Sequence, residues 1–147
     1  KIEYQVKSKE VKRIGDISEM SELESYFEPR TVKANQVYQV WRDSVGEVLK
    51  EKLYKDKHRQ SPILYLGDSF SRIYQTDAPR SAGVIAHLAK ELEMPLSSLV
   101  SEGGASTLVR QKLARQKGRL KGKAIVIWEF VERDFRYGAE GWKIIKY

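Results

Sequence analysis

From Pro62 onward the chain alternates short apolar runs with stretches of helical spacing, and this order restricts the fold more than any other feature. Residues 63–66 are a continuous apolar run bounded by Pro62 and Gly67, as expected of a strand buried on both faces. Residues 83–92 place Val84, Ile85, Leu88, Ala89 and Leu92 at helical intervals. Residues 96–100 read as a second short strand, followed by Gly103 and Gly104. Ser106 is placed to cap a helix running to Lys117, with Leu108, Val109 and Leu113 inward. Residues 124–128 read as a third buried strand. Strand, helix, strand, helix, strand implies right-handed βαβ units, hence a parallel sheet with helices on both faces. The expected class is α/β: a three-layer α/β/α sandwich around a parallel flavodoxin-like sheet, with an N-terminal strand/helix extension.

The extension has a different rhythm. Ile2, Tyr4 and Val6 alternate, with Val11 further on, so residues 1–14 predict one or two strands. Asp16 with Glu19 three residues later is a capping-box pattern. Ile17, Met20 and Leu23 supply the apolar stripe of a short helix, ended by Phe27, Glu28 and Pro29. Val37, Tyr38 and Val40 favour a strand over residues 31–41. Residues 45–55 are charged, weakly amphipathic and left unassigned. Residues 132–137 and 142–147 read as short helical or loop segments.

Length and composition narrow the function. The 147 residues make one ordinary domain, and 41% hydrophobic content fits a globular chain. No apolar run approaches a membrane span, and no signal-peptide core is present. A first residue of Lys1 predicts a start inside a longer protein or after a cleaved leader. The lack of cysteine excludes disulfides, thiolate catalysis and cysteine zinc sites, and no cofactor or metal is called for. The net charge is +7, and its densest cluster is Arg110, Lys112, Arg115, Lys117, Arg119, Lys121 and Lys123. Few aromatics interleave with these cations. They read first as a solvated face and second as an anion-binding surface, and no nucleic-acid partner is expected.

In a parallel sheet, ligands bind at the carboxyl ends of the strands. Residues 67–69, 102–104 and 129–133 all arrive there. Ser69 follows a buried strand directly, with Gly67 permitting a close turn and backbone N–H groups of the next segment pointing outward. Gly103 or Gly104 brings a second N–H near, having no side chain in the way. A nucleophilic oxygen beside donors placed for developing negative charge is what acyl transfer requires. Gly-Asp-Ser alone is a weak signal; the buried strand before it and the Gly-Gly loop strengthen it.

Three longer strings carry a resemblance. They are Leu66-Gly67-Asp68-Ser69-Phe70-Ser71, then Gly103-Gly104-Ala105-Ser106-Thr107 with Arg110, then Val126-Ile127-Trp128-Glu129-Phe130-Val131-Glu132-Arg133-Asp134. Together they are similar to the SGNH-hydrolase-like domain of the alginate O-acetyltransferase family (AlgX and AlgJ type), and residues 14–20 also resemble a segment upstream of that family's serine. The resemblance implies a periplasmic protein that moves acetyl groups onto exopolysaccharide hydroxyls, with a membrane-bound O-acyltransferase as partner and no cofactor. It makes Ser69 the nucleophile, and the N–H groups of Ser69 and of Gly103 or Gly104 the oxyanion hole. Residues 1–147 would be the C-terminal part of one such domain: 1–61 extension and connecting elements, 62–147 the βαβαβ core. The asparagine that many SGNH enzymes add to the hole is missing from Trp128-Glu129-Phe130.

The base is the open question. SGNH enzymes ordinarily carry Asp-x-x-His near the C-terminus, and nothing like it follows Arg133. The alginate type resembles a permuted arrangement with Asp-x-His upstream, and Asp56-Lys57-His58 matches that string. Geometry rejects it: the strand from Pro62 to Leu66 puts His58 roughly 15–20 Å from Ser69, at the opposite sheet edge, whereas a base works within about 3 Å or through one water. His87 reads as an ordinary helical histidine. The expectation is therefore a catalytic Asp-His upstream of Lys1 and a chain with nucleophile and hole but no base. Candidate substrate contacts are Arg110, Trp128, Glu129 and Arg133. Arg110 binds an anionic sugar or pairs with Glu129, and Trp128 stacks on a sugar or belongs to the core. Arg72 and Tyr74 line the pocket or the helix surface. The alternatives are a carbohydrate acetylesterase and a non-catalytic carbohydrate-binding module. A nucleotide binder lacks any Gly-x-Gly-x-x-Gly or P-loop pattern.

Overall fold

The computed structural model describes residues 2–15, 26–103, 105–137 and 142–146. An antiparallel sheet comes first. β1 (Glu3–Arg13) pairs along its whole length with β2 (Arg30–Arg42), and β3 (Val48–Leu53) pairs with the other side of β2. The alternation at the start of the chain thus yields one long strand, with Val6 opposite Val37 and Val11 opposite Val32. The unassigned residues supply a hairpin. Asp43 Oδ1 accepts the N–H groups of Val45 and Glu47 at 3.0 and 2.8 Å, and Gly46 takes a left-handed φ of +92°. The expected capped helix starts and carries its stripe on residues 16–25, outside the described residues.

The second sheet is parallel. β4 (Ile63–Gly67) lies between β5 (Ser97–Val100) and β6 (Ile125–Trp128). α1 (Val84–Glu91) links β4 to β5, and α2 (Ala105–Arg115) links β5 to β6. A short α3 (Arg133–Tyr137) follows β6. The first crossover runs from the central strand to one edge, and the second runs back from that edge past β4 to the other, so the two travel in opposite directions. Right-handed connections then require the helices on opposite faces, and the packing of β4 agrees. Ile63 and Tyr65 join Ile85, Ala86 and Ala89 of α1, while Leu64 and Leu66 join Leu99 with Val109 and Leu113 of α2. Period-two alternation in a strand buried on both faces feeds two cores at once.

Val37 of β2 belongs to the α1 core, so the two sheets share buried surface. Polar groups reinforce the junction. The Gln36 side-chain amide donates to the Pro79 and Arg80 carbonyls at 2.6 and 3.1 Å, and Val37 N–H donates to Ser81 at 2.7 Å. Ser81 Oγ in turn donates to the Tyr54 carbonyl at 3.1 Å.

Two expectations change. β6 is apolar in sequence but is an edge strand among the described residues, with Ile125 53% and Val126 48% exposed. An apolar run gives a strand the capacity for burial; whether a neighbour covers it is decided elsewhere in the chain. α2 begins before Ser106 and ends at Arg115. Ser106 is not its cap: the buried Asp134 carboxylate accepts Ser106 N–H at 3.1 Å from 28 positions away. Of the helical and loop alternatives for the end of the chain, residues 133–137 form a helix and residues 142–146 a loop. The described residues thus form a mixed α/β fold, a parallel three-stranded sheet joined to an antiparallel one.

Candidate active site

Gly67 ends β4, and its role is space rather than conformation. A Cβ there would lie 2.7 Å from Ser71 Cβ and 2.9 Å from Tyr65 Cε1, and would collide with Ser71 Oγ. The buried Asp68 follows. Its Oδ1 accepts Phe70 N–H at 2.8 Å, and its Oδ2 is buried with no partner among the described residues. This turn sets Ser69 at φ −63°, ψ −26°, ahead of a 3-10 turn over Phe70–Arg72. Ser69 is half-buried, in an unstrained helical conformation. Neither its hydroxyl nor its N–H has a hydrogen-bond partner among the described residues.

Two residues downstream the situation reverses. Ser71 is 1% exposed. Its hydroxyl donates to Glu129 Oε2 and lies 3.2 Å from the Tyr65 hydroxyl. The same Glu129 oxygen accepts Asp68 N–H at 3.2 Å. Glu129 is held in turn by its own N–H, which donates to the Leu66 carbonyl at 2.8 Å and extends the β4–β6 ladder. The loop after β6 therefore straps down the loop that carries Ser69.

The loop after β5 joins them. Ser101 N–H donates to the Gly67 carbonyl at 3.1 Å, and Arg72 lies 3.5 Å from Glu102 and 3.4 Å from Asp77. Gly103 takes a left-handed φ of +64°, which favours glycine whatever the space. Its N–H has no partner among the described residues. Gly104 lies outside the described residues.

Trp128 ends β6 against the Leu64 core, with its ring 5.1 Å from both Phe130 and Trp142. The Arg110 guanidinium sits 5.8 Å from the Trp128 ring and 5.4 Å from that of Trp142. It donates to the Ser106 and Lys143 carbonyls at 3.3 and 3.0 Å and lies 3.4 Å from Thr107 Oγ1. Arg110 is thus a clamp on two indoles and makes no bond to Glu129 among the described residues. Arg133 is exposed at the start of α3, beside a cavity of about 550 Å³ shared with Glu132, Phe135 and Arg136. Tyr74 lies under the Arg13 guanidinium, 4.7 Å from it.

No family model and no curated protein matches the chain. A solved structure, described as the structural and functional characterization of Pseudomonas aeruginosa AlgX, superposes with a TM-score of 0.49 at 12% identity. The match covers 87% of this chain and 28% of that one, so the chain spans well under a third of its length. At this level of superposition the likeness decides nothing about chemistry.

The electrostatics follow from burial. Burial pushes the Tyr65 phenol above its ordinary value, and the Glu129 and Asp68 charges push it further, against the bond to Ser71. Tyr65 therefore stays neutral at physiological pH. Neither histidine serves Ser69. His58 Nδ1 lies 3.3 Å from Ser97 Oγ, at the amino edge of β5, and His87 Nε2 lies 2.8 Å from the Asn35 carbonyl on β2. Asp56 is occupied by the Tyr54 hydroxyl at 2.9 Å and by Ser98 N–H at 2.7 Å, so it does not orient His58.

Ser71, Tyr65 and Asp134 escaped the sequence reading. Serines and tyrosines are common, and nothing in a linear string marks those that meet a carboxylate from another loop. The Gly67–Ser71 spacing is a usable signal only once the intervening turn is known.

Proposed function

We propose that this chain carries the nucleophile half of an SGNH-type O-acyltransfer site acting on polysaccharide hydroxyls. One observation carries the reading: at the carboxyl edge of a parallel sheet, Ser69 keeps both hydroxyl and N–H unengaged among the described residues, on a loop fixed by its neighbours. In this reading Ser69 Oγ attacks the acyl carbonyl and loses its proton to a base. The oxyanion is received by the N–H groups of Ser69 and of Gly103 or Gly104. The leaving group takes the proton, and a sugar hydroxyl then attacks acyl-Ser69 and regenerates the free serine. The sequence holds two histidines, both engaged away from Ser69, so a histidine base comes from outside these 147 residues. Residues 62–147 would be the core of a three-layer SGNH domain and 1–61 its extension. A membrane-bound O-acyltransferase in the same periplasmic pathway would supply the acyl group.

The test uses the chain as it stands. With p-nitrophenyl acetate, turnover should stay near background. Added imidazole, standing in for the missing base, should raise acetylation of Ser69, mapped by peptide mass spectrometry and absent in Ser69→Ala. Acetylation confined to lysines, or base-independent turnover untouched by Ser69→Ala, overturns the reading. The aromatic cluster of Trp128, Phe130, Phe135 and Trp142 favours a second reading, a non-catalytic carbohydrate-binding module. Glycan binding without any Ser69 acetylation would decide for it.

A further inference from the structure

The amino edge of the parallel sheet carries a feature of its own, separated from the carboxyl edge that bears Ser69 by the full rise of β4, about 13 Å. An open cavity of about 650 Å³ lies between the turn before β4 and the turns before β6. Its lining includes four cations, Arg59, Lys117, Arg119 and Lys121, together with His58 and Gln116, and no carboxylate. None of the four is in an ion pair among the described residues. The nearby acid, Asp56, has both oxygens committed to Tyr54 and Ser98.

The wall is built rather than draped. Gly118 and Gly122 take left-handed φ values of +81° and +73°, which turn the chain twice in five residues. The turns close through Arg119 N–H to Gln116 and Lys121 N–H to Gly118, both at 3.0 Å. Lys123 Nζ donates to the carbonyls of His58 and Ser61, pinning the opposite wall and adding a fifth positive charge behind it. Arg119 is anchored by one nitrogen on the Ser98 carbonyl at 2.6 Å, while its buried Nε has no partner among the described residues. The field registers on the imidazole: burial first, then the Arg119 and Lys123 charges, hold His58 below its ordinary value against the pull of Asp56.

Unpaired like charges gathered round one cavity repel, and an anion relieves that repulsion. A single carboxylate offsets one charge of at least four. Several oxygens on a multiply charged group suit an arginine fork beside lysine point charges better. The volume falls within the usual range for small-molecule sites. We propose that this cavity binds a small ligand carrying two or more negative charges as phosphate or sulfate groups. The site is independent of the chemistry at Ser69.

Titration of the chain with sodium pyrophosphate, sucrose octasulfate and sucrose, followed by calorimetry and amide NMR, tests it. Pyrophosphate or the octasulfate should bind saturably and shift His58 and the amides of residues 116–122, while sucrose should not. Binding of pyrophosphate alone assigns a phosphoryl ligand, and of the octasulfate alone a sulfated sugar. Lys117 and Lys121 are exposed, so the double variant Lys117→Ala/Lys121→Ala should keep its melting temperature and weaken binding at least about tenfold. Arg59→Ala serves as a second, independent probe. Absence of saturable binding overturns the proposal. So does binding that leaves residues 116–122 unshifted, or binding that both variants leave unchanged.

Discussion

Glu129 and Ser71 are hydrogen-bond partners 58 positions apart, and the bond joins the loop after β6 to the loop after β4. Because Glu129 also takes Asp68 N–H, one carboxylate holds both ends of the segment that presents Ser69. Glu129→Ala should leave two donors without their acceptor and cost about 1–3 kcal/mol. Amide exchange at residues 68–72 should accelerate more than in the helices. Glu129→Gln keeps an acceptor and should lose less. Equal exchange in wild type and Glu129→Ala would refute the strap.

Gly67→Ala should destabilise by about 1–3 kcal/mol, because Ser71 and Tyr65 occupy the space a methyl needs. Gly67→Ala combined with Ser71→Gly should recover part of the loss in urea denaturation, since the collision is with the Ser71 side chain. Additive losses would mean that glycine serves the backbone there.

His58 should titrate below its ordinary value of 6.5 by NMR. A histidine with a lowered folded value binds fewer protons when folded than when unfolded. Its stabilising contribution is present above 6.5 and lost as pH falls through the folded value. The side chain is largely exposed, so the stability effect is small and the titration itself is the readout. Arg119→Gln should raise the midpoint, as should high salt. A midpoint unmoved by either would separate His58 from the cationic wall.

Arg110→Ala should cost about 1–2 kcal/mol through lost stacking and packing on Trp128 and Trp142. Tryptophan fluorescence should shift red as the indoles gain water. Arg110→Lys should rescue only part, because a point charge cannot cover two rings and reach the Lys143 carbonyl at 3.0 Å together. Full rescue by lysine would reduce the clamp to simple charge.

The sequence by itself determined the local order of elements. β4 was legible because a strand buried on both faces must be apolar at every position, and α1 because an amphipathic helix repeats its stripe. The exclusion of Asp56 and His58 as a base was legible too, since a strand has a fixed rise and separates its two ends whatever surrounds it. Only the tertiary structure decided which apolar strand is covered, as Ile125 and Val126 on the exposed edge of β6 illustrate. It also decided that Asp134 rather than Ser106 caps α2, and that Ser71 is locked while Ser69 has no hydrogen-bond partner for its hydroxyl among the described residues. Burial and hydrogen-bond partnership between distant segments depend on which loops the sheet order brings together, and no residue in isolation encodes its partner.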